Sequence, residues 1–415
     1  MVDRIPVEDL IPTESLAALD AAGPAELLVG VPTLNHARSV AHVLESVAGG
    51  LAKHFPSRKT AVLVADAGSQ DGTLEAIQTW KEKSPDMPVV RDLRLTGPPH
   101  RGRAVLGILI AARRLEVQAC GFVDANLTSI AAGWIYQLLQ PVILGEADYV
   151  SPAYTRSISE GTLTTNLVAP MTRALYGKRI REVIGGCAGL SGAIAGRFLQ
   201  TDIRPTDLAA YGTDLWLTTE VLASGAKVTE THLGRKIITA SPGEPDLATT
   251  LARVTGSLFS LMERYHTAWE EIGGSSPLPQ TEEPASHLPE TGEVQVERMV
   301  RAFKLGLKDL LPVWEQIMPE ETLAHLYPLG ILAEEDFRFP PPLWARVVSD
   351  FAVAFHERRL PREHLLRALT PLYLGRVAAF LLQANAVSPS RFSDLLEDIG
   401  RAFEGEKDSL RARWR

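Results

Sequence analysis

Cysteine is nearly missing from this chain: Cys120 and Cys187 are the only two in 415 residues. Two thiols exclude a disulfide framework and a four-thiolate zinc site, and they suit a reducing cytoplasm. Long apolar runs are missing as well. The best candidate, residues 104–112, is bracketed by Arg101, Arg103, Arg113 and Arg114 and falls short of the roughly 18 uncharged residues of a membrane span. Residues 1–19 have no basic start leading into an apolar stretch, so no secretory signal is expected. Charge of one sign is not dominant: 42 Lys and Arg stand against 50 Asp and Glu, a net charge of -8. That excludes an overall pull towards nucleic acid or anionic membrane. With 45% apolar and 22% charged residues, the chain is neither disordered, collagen-like nor a coiled-coil rod. A soluble, cytoplasmic protein of about two or three domains is expected.

What is present begins with an alternation of strand and helix. The run Leu27–Leu28–Val29–Gly30–Val31–Pro32 predicts a buried strand, and residues 37–51 carry Val40, Val43, Leu44 and Val47 at helical spacing. Residues 60–66, 89–95 and 119–124 predict further strands, with helices over 72–83 and 102–115 between them. Such alternation implies a mostly parallel sheet with helices on both faces. Beyond it, residues 273–293 are dense in Pro, Ser, Glu and Thr and predict a linker. Residues 294–415 are helical in pattern, with Pro371 expected to break one helix. Trp216, Trp314 and Trp344 fall in helical segments as core residues, and His232 and Cys187 read as structural.

In an open α/β sheet, ligands sit at the carboxyl ends of the strands. Polar residues at those ends are Thr33 and Asn35, then Asp66 with Gly68 and Ser69, then Asp124 with Asn126. Each alone is ordinary turn chemistry; their order and spacing together point to one crevice.

Three stretches carry a family resemblance: VGVPTLNHARSVAHVLESV at residues 29–47, VLVADAGSQDGT at 62–73 and GFVDANLTS at 121–129. They resemble the nucleotide-sugar-binding half of GT-A, family-2-like glycosyltransferases, and GPPHRGRAVLGIL at 97–109 resembles the basic glycine-rich element between them. A narrower resemblance is to synthases of glucosylglycerate, mannosylglycerate and their phosphorylated forms. It rests on Gly185–Gly186, on Tyr211–Gly212–Thr213–Asp214, on Leu233–Gly234–Arg235–Lys236 and on the helical C-terminal extension. The implied organisation is an N-terminal extension (1–25), a nucleotide-sugar-binding half (26–130), an acceptor-binding half (131–272), the linker (273–293) and a helical domain (294–415).

The resemblance implies a GT-A Rossmann-like α/β fold and hexose transfer from UDP-glucose or GDP-mannose to a small polar acceptor such as glycerate or 3-phosphoglycerate. Pro32, Thr33, Asn35, Asp66, Arg101, Arg103, Asp124 and Ala125 would bind the donor. Gly185, Gly186, Ser191, Tyr211 and Thr213 would bind the acceptor. Asp124 and Asp214 are the catalytic candidates, Asp214 as general base in an inverting enzyme or as an orienting group in a retaining one. Guanidinium groups match phosphate oxygens, and arginine at a helix start opposes the dipole unless an anion is near.

A divalent cation, Mg²⁺ or Mn²⁺, would sit at Asp124 and Asn126 and act as a Lewis acid. Two departures stand out: the usual second acid of the DXD motif is Asn126, and the family's metal-binding histidine is replaced by Ile237 and Ile238. The alternatives are a lipid or polysaccharide acceptor, with apolar residues 372–382 docking on a bilayer, or a non-catalytic nucleotide-sugar-binding homologue. The helical tail would pack back on the catalytic unit or form a homodimer interface.

Overall fold

The structure is a computed structural model that describes residues 10–21, 23–84, 90–97, 99–201, 212–240, 245–280, 287–288 and 295–414. The chain forms two units. The first holds residues 1–155, 184–244 and 278–285; the second holds 156–183, 245–277 and 286–415.

The first unit is an α/β sheet. Its strands are β1 (Leu27–Thr33), β2 (Thr60–Asp66), β3 (Val90–Arg94), β4 (Ala119–Val123), β5 (Tyr149–Ser157, its last two residues in the second unit), β6 (Cys187–Ser191) and β7 (Val228–Arg235). Its helices are α1 (Thr13–Ala21), α2 (Val40–His54), α3 (Thr73–Lys83), α4 (Arg101–Arg114), α5 (Ala132–Ile143), α6 (Gly192–Phe198) and α7 (Gly212–Ala223). The strand order is β5-β6-β4-β1-β2-β3, with β7 also on β5. Strands β1 to β4 pair in parallel, β6 runs antiparallel to β4 and β5, and β7 is parallel to β5. The expected mostly parallel α/β sheet is therefore observed.

Alternation along β1 sets which helix lies on which face. Val29 and Val31 join Val43, Val47, Ile135 and Leu139 of α2 and α5 in one buried cluster. Gly30 points the other way, against α4: a Cβ there would lie 2.3 Å from Ile108 Cγ2. Helix α2 starts at Val40 rather than at residue 37, because the His36 carbonyl closes a turn by accepting from the Ser39 and Val40 N–H groups. Helix α1 was not legible in the sequence. It is short, and it is tied down by an Asp20–Arg114 ion pair and by buried Leu16 and Leu19.

The second unit is helical, and it takes more of the chain than residues 294–415. Helix Ala169–Tyr176 belongs to it, held by the last helix, Pro389–Arg413. Arg173, 8% exposed, forms ion pairs with Glu397 and Glu404 at 2.7 and 2.9 Å. Gly400 makes room for it, since a Cβ there would lie 2.4 Å from Arg173 Nη1. Lys407 donates to the carbonyls of Leu175 and Ile272. Trp314 and Trp344 are fully buried, their indole N–H groups on the carbonyls of Ala368 and Asn166. Pro371 separates helices Arg362–Ala368 and Thr370–Ala386, as expected. Residues 372–382 are not a bilayer-docking face: Leu372, Tyr373, Val377, Phe380 and Leu381 are buried within the unit. Gly375 there packs against Phe303. The linker expected at 273–293 lies partly outside the described residues.

Removing Arg173 leaves two glutamates facing each other without their shared cation. Those glutamates are 25% and 21% exposed, so Arg173→Ala is expected to cost about 2–3 kcal/mol rather than the larger penalty of a fully buried pair. Urea unfolding followed by circular dichroism at neutral pH checks this.

Candidate active site

The strand order reverses between β1 and β4: β2 and β3 continue on one side of β1, whereas β4 starts the other side. Ligands of open α/β sheets bind outside the carboxyl ends at such a point. Thr33 ends β1 there and Asp124 follows β4.

Arg101, the first residue of α4, reaches across this point to two acids. Its Nε and Nη2 lie 2.7 and 2.6 Å from Asp124 Oδ1, and its Nη1 lies 2.6 Å from Asp214 Oδ1. Asp214 sits in the first turn of α7 and its other oxygen accepts the Gly186 N–H at 3.1 Å. The Gly186 carbonyl accepts the Asp124 N–H at 2.9 Å. Four segments are thereby closed into one ring of hydrogen bonds. Gly186 has φ +78, and a Cβ there would lie 2.7 Å from Asp124 Oδ2; the position demands glycine for both reasons. All three charged side chains are about one fifth exposed, at 22%, 19% and 20% for Arg101, Asp124 and Asp214. Burial works against the Arg101 charge, and the two carboxylates more than offset it. Burial, with the facing Asp214 carboxylate, pushes Asp124 up to about 6 against the pull of Arg101.

Two residues that the sequence reading did not assign to the site complete this wall. Lys236 Nζ donates to the Gly185 carbonyl at 2.7 Å and stands 5.1 Å over the Tyr154 ring. The Tyr154 hydroxyl donates to the same carbonyl at 3.0 Å. Lys236 was visible within the LGRK motif; Tyr154 carries no signal in sequence. Cys187 is the packing residue expected, with its thiol on Tyr154 and pushed up to about 12 by burial.

The loops after β1 and β2 are laced together. Asp66 accepts from the Gly68 N–H, the Ser69 N–H and the Ser69 hydroxyl. The Asn35 N–H donates to Ser69 Oγ, and Asn35 Oδ1 accepts from the Gln70 N–H. Asn35 itself has φ 61. The Asp66 carboxylate thus acts first on its own turn. The Thr33 hydroxyl, buried beside it, has no hydrogen-bond partner among the described residues.

Other predicted site residues are placed differently. Arg103 is buried with its guanidinium against Gly97, away from the Arg101 ion pairs; residues two apart on a helix do not share a face. Ala125 is fully buried in the apolar cluster, which leaves it only backbone groups for a ligand. Thr213 is fully buried at the start of α7. Ser191 is a correction. Cys187 pairs with Val123, next to Asp124, but Ser191 pairs with Ala119 at the opposite end of β4. Four strand steps separate those ends, about 13 Å. Ser191 instead caps α6, accepting the Ile194 N–H. Tyr211 lies outside the described residues.

The donor set is a poor match for a divalent cation, which binds hard oxygens and is held by carboxylates beside substrate phosphates. Asp124 is the one carboxylate of the predicted pair, and Asn126 is an amide whose backbone carbonyl accepts the Thr239 N–H at 2.9 Å. The Asp124 oxygen nearest Arg101 already receives two guanidinium N–H groups. Ile237 and Ile238 are exposed. Among the described residues no group of three His, Cys, Asp or Glu side chains could hold a metal.

Raised above its ordinary 3.8, Asp124 favours the folded state most at the acid end, and that contribution is lost as the pH rises through about 6. A carboxyl NMR titration is expected to show a midpoint near 6 for Asp124, lowered in Asp214→Asn. Gly186→Ala is expected to displace the Asp124 carboxylate, change that titration and lower the melting temperature by a few degrees.

No protein-family model matches the chain, and no curated protein matches it significantly. Solved structures do resemble it. Glucosyl-3-phosphoglycerate synthase from Mycobacterium tuberculosis, solved with Mn²⁺, UDP-glucose and phosphoglyceric acid, is 20% identical over 61% of this chain and 85% of its own, with TM-score 0.43. Mannosyl-3-phosphoglycerate synthase from Rubrobacter xylanophilus is 16% identical over 62% and 79%, with TM-score 0.41. A mannosyltransferase from Pyrobaculum calidifontis, in complex with GDP-Man and Mn²⁺, is 16% identical over 92% and 87%, with TM-score 0.43. In each case this is a likeness of fold at low identity.

Proposed function

We propose that this chain is a GT-A-type hexosyltransferase that uses a nucleoside diphosphate sugar, UDP-glucose or GDP-mannose, and a small polar acceptor such as glycerate or 3-phosphoglycerate. The observation that carries this reading is the Asp124–Arg101–Asp214 cluster at the point where the strand order of a parallel sheet reverses. The motif resemblance across residues 29–129 and 185–236 adds the donor and acceptor classes.

In this reading the base lies along Pro32, Thr33, Asn35 and Asp66, with the orphan Thr33 hydroxyl as a ready donor or acceptor. Arg101 meets the diphosphate. Arg103 supports the loop at Gly97 rather than the ligand. The acceptor approaches along Gly185–Gly186 and the start of α7, where Thr213 falls. As the sugar–oxygen bond breaks, its electron pair stays on the diphosphate. The acceptor oxygen forms the new bond to the sugar carbon and gives its proton to the departing diphosphate oxygen. Asp124 and Asp214 supply negative charge beside the oxocarbenium-like sugar. Both Asp214 oxygens already accept N–H groups, from Gly186 and Arg101, which suits holding geometry better than taking a proton.

Calorimetry with UDP-glucose and GDP-mannose, followed by turnover with glycerate and 3-phosphoglycerate, tests the reading. One donor is expected to bind with Kd between about 1 μM and 1 mM. Asp214→Asn is expected to lower kcat by about 10²-fold or more while donor binding persists. Binding without turnover on any acceptor would mark a nucleotide-sugar-binding protein. No binding of any nucleotide sugar would refute the reading.

A further inference from the structure

We propose that Arg101 is the resident cation of this site: its guanidinium, held between Asp124 and Asp214, does for the departing diphosphate what a divalent cation would otherwise do. The inference rests on the nucleotide-sugar reading above and departs from the metal dependence that the family resemblance implies.

Three independent observations converge on it. First, the place where a metal would bridge Asp124 to a ligand is taken by guanidinium nitrogens at 2.6 and 2.7 Å. Second, the substitutions that would weaken a metal site are all on hand: Asn126 replaces an acid, and Ile237 and Ile238, 47% and 51% exposed, stand where a histidine ligand is expected. Third, the guanidinium is held on both sides. Asp214 takes Nη1 and is itself fixed by the Gly186 N–H at 3.1 Å. Arg101 thus cannot swing away without leaving two carboxylates facing each other uncompensated.

The geometry also leaves capacity for a ligand. A guanidinium has five N–H groups in a fixed plane. Nε and one N–H on each terminal nitrogen point to the carboxylates. These contacts use three of the five N–H groups and leave one on Nη1 and one on Nη2 for phosphate oxygens. Helix α4, fourteen residues long, adds the partial positive charge of its N-terminus at the same place. The donors are already oriented before the sugar–oxygen bond breaks, so charge building on the diphosphate meets a preorganised partner. A divalent ion would have to compete with this guanidinium for Asp124.

The test has two arms on the full-length protein. In the first, Mn²⁺ alone is titrated and followed by calorimetry and electron paramagnetic resonance. Wild type is expected to bind it no tighter than about 1 mM, weaker than the usual carboxylate sites, whereas Arg101→Met gains a site. In the second, UDP-glucose and GDP-mannose are titrated in excess EDTA and again in Mn²⁺. Wild-type affinity is expected to agree within about threefold, and Arg101→Met is expected to lose about tenfold or more in EDTA, the loss of one charge-assisted bidentate contact. Arg101→Lys keeps the charge but not the fork, and its affinity is expected to fall between the two. Wild-type binding that requires Mn²⁺, or micromolar Mn²⁺ binding abolished by Asp124→Asn, would overturn this inference and leave the transferase reading standing. Absence of nucleotide-sugar binding in either condition would overturn both.

Discussion

One guanidinium shared by two carboxylates holds this site together. Residues 101, 124 and 214 come from the start of a helix, the end of a strand and the first turn of another helix. None is fixed by its neighbours in sequence. Arg101 sits where the helix dipole disfavours it, and Asp124 is pushed up by burial. Each is tolerable only because the others are there. The Gly186 turn locks the arrangement, since its N–H and carbonyl are both used by the two acids' own segments. The sheet supplies the frame, because reversal of the strand order beside β1 opens the crevice at which the three meet.

The charge balance of this wall suits the proposed chemistry. Arg101 and Lys236 face Asp124 and Asp214, so formal charges cancel without an external ion. Under the proposed function, a nucleoside diphosphate would bring negative charge to the Arg101 N–H groups. The sugar would bring developing positive charge to two carboxylates that are four-fifths buried. Both effects draw on orientation fixed during folding rather than on reorganisation during reaction.

Much of the frame was legible in sequence. Strands ending at Thr33, Asp66 and Val123 were marked by apolar runs that stop at turn residues, and Asp124 stood out because it follows such a run. Asp214 is marked by the Tyr-Gly-Thr-Asp element of the family resemblance. The Arg101 bridge was not legible, because its partners lie 23 and 113 residues away and nothing local requires them. Ser191 was misplaced for a related reason. Ser191 lies only five residues beyond Gly186 in sequence, but residues 187–191 are a strand that carries it to the far end of β4. Arg103 was grouped with Arg101 by adjacency, although helical geometry sends it to Gly97. The make-up of the helical unit was hidden in the same way: the glutamates that Arg173 pairs with in the last helix lie 224 and 231 residues on.

The most direct measurement is a crystal structure of the protein with UDP, grown in the presence of Mn²⁺. The Arg101 guanidinium is expected still between Asp124 and Asp214, with its remaining N–H groups on the diphosphate. A Mn²⁺ ion bound to Asp124 and the phosphates, with Arg101 displaced, would contradict it.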